Sequence, residues 1–259
     1  MPLDRCIPEI VCFHEMMGSE HFARLYGYRI VQLGCTFVYE IFAEYYKHGT
    51  LQELAERIPK FNAEDILYIF ATLISAVNAL IYKGIMHRDL SMANICIDNF
   101  GKLKIIDFGS ACFTAHGGYS NTFTFEYASP EKVSHRKLSE GDDFWSAAVV
   151  AYVCEHRHYF WPEEQNYQSR YSFLTNSALP VGPILRGSKL SNIYVLMFEK
   201  QIQLRLNTYE AIVRKFSEVS KYKTITEYAS GVSPLQGYYS DFSEPEVEKT
   251  TKSHVFRLP

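Results

Sequence analysis

The feature that most constrains the fold of this chain is a pair of acidic motifs held a fixed distance apart. The run His87-Arg88-Asp89-Leu90-Ser91-Met92-Ala93-Asn94 is followed by Asp107-Phe108-Gly109, with Asp107 eighteen residues after Asp89. Between them, Ile95 to Asp98 and Leu103 to Ile106 are short apolar runs on either side of Asn99-Phe100-Gly101. That is the pattern of two strands and a tight turn. A hairpin of this length returns the second aspartate beside the first.

The chain has 259 residues, 47% hydrophobic and 21% charged, enough to bury a sizeable core as one large domain or two small ones. A formal charge of −3 supplies no electrostatic footprint for nucleic acid or an anionic membrane, and neither is expected as a partner. The cysteines at 6, 12, 35, 96, 112 and 154 are scattered, with no Cys-x-x-Cys pair and no His/Cys cluster at metal-ligand spacing. With no secretory signal in the opening residues, they are expected to stay reduced in an intracellular setting, cytoplasmic or nuclear.

Ile66 to Tyr82 is nearly all apolar but falls short of the about 20 residues of a membrane helix. Thr72, Ser75 and Asn78 interrupt it, while Ile66, Ile69, Phe70, Leu73, Val77 and Leu80 recur at helical spacing behind an Asn62/Asp65 cap. This predicts a buried helix of a folded domain. Pro8 to Met17 predicts another helix. Tyr28 to Val31 and Thr36 to Phe42 predict two strands joined through Leu33-Gly34-Cys35. From about Val219 to Pro259 the sequence turns polar, and a loosely ordered tail is expected.

The two acidic motifs, then Ser129-Pro130-Glu131, then Asp143-Phe144-Trp145-Ser146 stand in the order found in eukaryotic protein kinases. From roughly Glu9 to Phe216 the chain resembles that family, in its serine/threonine type. An isolated Asp-Phe-Gly is an ordinary turn; the ordered combination carries the resemblance. It implies an α+β, protein-kinase-like fold: a partial N-lobe over 1–43 with one helix and about two strands, a hinge at 44–49, a mostly helical C-lobe over 50–218, and the polar tail at 219–259.

The resemblance also implies ATP and Mg2+ as cofactors and a protein as substrate. Asp89 would be the base, with Arg88 beside it, and Asn94 and Asp107 would ligate magnesium through oxygen, which suits a hard cation. Ala43 would be the gatekeeper, with Glu44 and Tyr46 facing the purine, although these residues read equally well as a linker between strand and helix. Cys96 and Phe108 are assigned to the same nucleotide site, Phe108 packing on the N-terminal helix and on His87. Asp143 would tie its helix to the catalytic-loop backbone, and Arg205 would pair with Glu131. Arg88 next to the base implies control by phosphate in the activation segment, where Ser120, Thr122 and Thr124 are the regulatory candidates. Thr124-Phe125-Glu126-Tyr127 resembles the Thr-Pro-Glu-Tyr run of serine/threonine kinases, with Phe123 where glycine is frequent.

The chain departs from the family pattern at its front. It has no Gly-x-Gly-x-x-Gly, and before Lys47 its only lysines or arginines are Arg5, Arg24 and Arg29, none in a Val-Ala-x-Lys context. The glutamate that would partner the strand lysine is Glu9 or Glu15, and Ser91 stands where a lysine is usual. Losing one preorganised donor costs about 10² to 10³ in rate, so losing both lysine and glycine-rich lid implies at least ~10⁴. The strand at Tyr28 to Val31 and its neighbour are expected to present an unpaired edge, covered by another chain or by a missing N-terminal segment. Three readings stay open: a serine/threonine kinase catalytic region, a pseudokinase that binds a partner kinase or a substrate, and an unrelated helical interaction protein.

Overall fold

Alternating apolar residues set the small lobe. The computed structural model describes residues 8–33, 36–116, 123–134, 139–161, 167–175, 188–220, 223–239 and 254–257. Helix α1 (Pro8–Glu15) buries Glu9, Ile10, Cys12 and Phe13 against a sheet made of β1 (Leu25–Leu33) and β2 (Thr36–Ala43). The two strands pair antiparallel from Leu25↔Ala43 to Leu33↔Thr36, with a bulge between Leu25 and Gly27. The period of two puts Tyr39 and Ile41 in the core and leaves Tyr26, Tyr28 and Ile30 exposed.

Beyond the hinge, α2 (Leu51–Arg57) and α3 (Ala63–Tyr82) both begin in capping boxes, Thr50 with Glu53 and Asn62 with Asp65. Each box satisfies amides that a helix start otherwise leaves orphaned. By length and composition α3 is apolar enough to cross a membrane, with mean hydropathy 1.7 over its most apolar window, yet 72% of that window is buried inside the fold. It is the axis of the large lobe. Gly84, at φ 65°, ends it and leads into β3 (Ile85–Met86).

The hairpin follows as β4 (Ile95–Ile97) and β5 (Leu103–Ile105), and β6 (Cys112–Phe113) then returns to pair with β3. Both hairpin strands stop one residue short of the sequence expectation: β4 because the Asp98 side chain accepts the Phe100 and Lys102 amides at 2.8 and 2.9 Å, and β5 at Ile105, beyond which the Ile106 amide donates to the Asn94 carbonyl at 3.0 Å. The Asp98 side chain closes the turn.

Helices α4 (Pro130–Val133), α5 (Gly141–His156), α6 (Tyr167–Thr175), α7 (Ser191–Met197) and α8 (Tyr209–Val219) complete the large lobe. Phe70 of α3 meets Tyr194 of α7 and Phe216 of α8 at ring distances of 6.4 and 5.8 Å. Arg205 grips Glu131 of α4 through two parallel bonds of 2.8 and 2.9 Å, with side chains only 1% and 9% exposed, and its guanidinium lies 4.8 Å from the Trp145 ring. Removing one member of such a pair strands a buried charge, which costs about 3–5 kcal/mol.

Over 223–239 the structure corrects the expectation of a loosely ordered tail, while 240–253 and 258–259 lie outside the described residues. Helix α9 (Ile225–Ser230) starts in a third capping box, Thr224 with Glu227, and buries Ile225, Tyr228 and Ala229. A 3-10 turn over Pro234–Tyr239 buries Leu235 and Tyr239. Tyr238 donates to Asp65 at the start of α3, and Ser233 donates to the Gly101 carbonyl at 2.6 Å. Gly101 has φ 74°, and a Cβ there would lie 2.5 Å from the Gln236 nitrogen, so the hairpin turn admits only glycine. The segment is polar in composition, but its few apolar residues are spaced to meet α3. Further on, β7 (His254–Arg257) pairs antiparallel with β2, giving a sheet in the order β1-β2-β7 among the described residues. On the β2 side, the edge expected to need another chain or an N-terminal segment is taken by this chain itself.

Leu235→Ala tests the corrected tail. The side chain is fully buried, so the substitution should lower unfolding free energy by about 2–5 kcal/mol in urea denaturation, whereas a loosely ordered tail would leave it unchanged.

Candidate active site

The cleft is organised from α5. Asp143, in its first turn, accepts the His87 amide at Oδ2 (2.7 Å) and the Arg88 amide at Oδ1 (2.9 Å). Between these anchors Arg88 takes a left-handed conformation, φ 67°, which is rare for a residue with a side chain. Its Nε donates to the Ser110 carbonyl. His87 is fully buried, its Nε2 3.2 Å from the Ile106 carbonyl, and burial lowers its pKa. Asp89 then projects forward. The Thr124 amide donates to its Oδ1 at 2.8 Å, and Asn94 Nδ2 donates to its carbonyl at 2.9 Å and lies 3.4 Å from its Oδ2.

The hairpin delivers Asp107 from the other side, also left-handed at φ 63°, its Oδ1 accepting the Gly109 amide at 2.9 Å. Asn94 and Asp107 line one cavity of about 870 Å³ together with Ala43, Glu44, Tyr46, Cys96, Ile106 and Glu9. The cavity runs along the hinge, whose turn is closed by the Gly49 amide donating to the Tyr46 carbonyl at 3.1 Å. The Tyr46 ring is buried, and its hydroxyl donates to Glu44 at 3.3 Å.

Glu9 is the unusual charge. The residue is 5% exposed; its carboxyl accepts the Tyr39 hydroxyl at 3.3 Å and has no ion-pair partner among the described residues. Burial, and secondarily the Asp107 carboxylate, push its pKa up to about 7, while the Tyr39 bond works the other way. Glu15, the other candidate, instead sits near the surface 3.5 Å from Lys83.

A model of the protein kinase domain matches residues 3–217. The chain belongs to the protein kinase family. It is 34% identical over 119 residues to NUAK family SNF1-like kinase 2 of Rattus norvegicus, which covers 45% of this chain and 19% of that protein. It is 26% identical over 236 residues to mitogen-activated protein kinase kinase 2 of Arabidopsis thaliana, covering 82% and 62%. The chain thus spans less than two thirds of the length of either relative. Among solved structures, the Cydia pomonella granulovirus kinase PK-1 matches with a TM-score of 0.65 at 25% identity, over 80% of this chain and 78% of that one.

Within this kinase fold, Asn94, Asp107, Ala43, Glu44, Tyr46 and Cys96 share the cavity wall, while Asp89 stands outside it, joined through Asn94. Phe108 requires a correction: it is not part of the wall. It is fully buried behind it, 4.8 Å from Phe13, 5.7 Å from Phe22 and 5.3 Å from His87 between ring centres, because an unsubstituted aromatic ring gains most from burial away from water. Ser120 and Thr122 lie outside the described residues, and Thr124 acts here through its backbone. Two neighbours of the site escaped the sequence reading. Tyr39 was detectable only as an inward position of an alternating strand. Lys132 of α4 is buried with its Nζ 4.8 Å from the Phe123 ring centre, and burial lowers its pKa to about 8 against the pull of Asp143, Asp89 and Asp142. Nothing in Ser-Pro-Glu-Lys marks that lysine.

Glu9 makes stability depend on pH. The unfolded carboxyl releases its proton near 4.5 and the folded one near 7, so the folded state holds the extra proton between those values. Its contribution is full below about pH 4.5 and is lost as pH rises to about 7, a fall of about 3 kcal/mol. Glu9→Gln, neutral throughout, should flatten that slope in urea titrations between pH 4.5 and 8 without nucleotide or metal.

Proposed function

We propose that this kinase domain transfers the terminal phosphoryl group of magnesium-ATP to serine or threonine of a protein substrate, slowly when acting by itself. The observation that carries the reading is the convergence of Asn94 and Asp107 on the cavity that the hinge residues Ala43, Glu44 and Tyr46 also line. Asn94 and Asp107 would hold magnesium through oxygen. Among the described residues no group of three or more His, Cys, Asp or Glu could hold a metal unaided, which fits a cation that takes one or two protein ligands and completes its shell from phosphate and water. When bound, magnesium-ATP supplies the phosphoryl group and the positive charge that offsets charge developing on its oxygens.

Asp89 is oriented by the Thr124 amide and by Asn94 to accept the proton of a substrate hydroxyl. The serine/threonine preference rests on Thr124-Phe125-Glu126-Tyr127. The low rate rests on Glu9, which faces Asp107 electrostatically without a cation to balance it, and on a sequence without a glycine-rich lid. The same bare glutamate favours a second reading, a pseudokinase that serves as an interaction scaffold or regulator of a partner kinase.

Thermal unfolding and phosphoryl transfer separate the readings. At a nucleotide concentration 100 times Kd, magnesium-ATP should stabilise the chain by about 2.7 kcal/mol, and chelation or Asp107→Ala should remove the shift. Asp89→Asn should keep the shift and lower transfer to a protein substrate by about 10² to 10⁴. No shift with the intact chain defeats the nucleotide reading; a shift with transfer no faster than in Asp89→Asn establishes the scaffold.

A further inference from the structure

Strand β2 runs directly into the hinge at Ala43, and its outer edge is held by residues from the far end of the chain. The pairs Val38↔Arg257, Tyr39↔Phe256, Glu40↔Val255 and Ile41↔His254 lay β7 antiparallel along it. Pairing of this kind is made by main-chain groups over a short length, so it is tolerant of sequence and reversible. The segment also starts from a fixed point. Tyr239 is buried, its ring centre 4.1 Å from that of His48 at the end of the hinge and 5.8 Å from the Arg57 guanidinium. Only fifteen positions separate Tyr239 from His254. A tether of that length reaches at most about 50 Å, and being covalent it makes the pairing of the strand intramolecular.

We propose that the β2 edge is a strand-acceptor site whose resident is the chain's own C-terminal segment at 254–257, held in cis by its tether and exchangeable for an identical segment presented in trans. The position of the edge gives occupancy a consequence. Tyr39, which holds Glu9, and Ile41, which lines the cavity, both lie on the braced stretch of β2. An empty edge is an open row of amides and carbonyls, the usual route to pairing between copies.

The full-length chain carrying Val255→Pro with Phe256→Pro tests this. In an antiparallel ladder, successive residues alternate between bonding the partner strand and turning away, so two adjacent prolines remove at least one ladder donor and block the fit of the strand. Near-UV circular dichroism identical to wild type shows that the core is intact. The amides of 38–41 should then exchange with deuterium at least about tenfold faster than in wild type. A fluorescein-labelled peptide of residues 250–259 should bind the variant at least about tenfold more tightly than it binds wild type, whose edge is filled; the same peptide with both prolines should bind neither. Self-association of the variant in light scattering that the unmodified peptide reverses is the emptied β2 edge pairing with the β2 edge of a second copy, since the proline-bearing segment cannot dock, and counts in favour. Unchanged exchange at 38–41, or a peptide that binds both proteins equally or ignores the variant, overturns the proposal. None of these readouts involves nucleotide.

Discussion

Asp143 is 3% exposed, a position where a carboxylate is tolerated only if its oxygens are satisfied. Both are: the His87 and Arg88 amides point at them. Hydrogen bonds to a charged group contribute about 1.5–3 kcal/mol each, against a cost of about 1–3 kcal/mol for a left-handed residue such as Arg88. The balance favours the turn. Once the turn is made, the His87 ring goes inward beneath Phe108 and Asp89 goes outward toward Thr124 and Asn94. A helix in the core of the large lobe thereby fixes a side chain at its surface.

The second left-handed residue, Asp107, is coupled to the small lobe in two ways that oppose each other. Phe108, next to it, wedges against Phe13 of α1 and Phe22, so packing draws α1 onto the triplet. The same approach brings the Glu9 carboxyl into the field of Asp107 in a poorly solvated place. Apolar contact favours closure and like charge resists it. The conflict shows in the raised pKa of Glu9 and is eased by the Tyr39 hydroxyl, in a place where the described residues provide no ion-pair partner.

The hairpin and α3 with its Asn62/Asp65 cap were legible in the sequence because each depends on local chemistry or on spacing between marked residues, whereas the Arg205–Glu131 pair was legible only through the resemblance to the kinase family. The strands around Tyr28 and Thr36 were legible as strands, but their full length was not, since Leu25 and Leu33 owe their pairing to the opposite strand. The packing of Phe108 on the N-terminal helix and His87 was anticipated and is observed, although its assignment to the cavity was not met. The tail looked loose because burial is decided by what arrives from elsewhere in the chain. Leu235 and Tyr228 are ordinary apolar residues in a polar stretch until α3 and α8 stand beneath them. Lys132 is a clear case: its surroundings are Asp89 and Asp143 from two other segments, and no pattern around Lys132 itself encodes that.

The small-lobe sheet depends on the large lobe for its completion, and loop entropy says why. Ile41 and His254 pair across roughly 210 residues, and closing a loop costs about (3/2)RT ln n. Once Tyr239 has docked beside His48, the path between the paired strands shortens to roughly 20 residues, lowering that cost by about 2 kcal/mol. That reduction is comparable to what a few strand hydrogen bonds contribute at about 1 kcal/mol each. Docking of α9 and the 3-10 turn on α3 therefore makes the last strand of the sheet easier to close by that amount, and loosening that packing weakens the brace on β2. The small-lobe sheet is thus braced through a segment that packs on the large lobe.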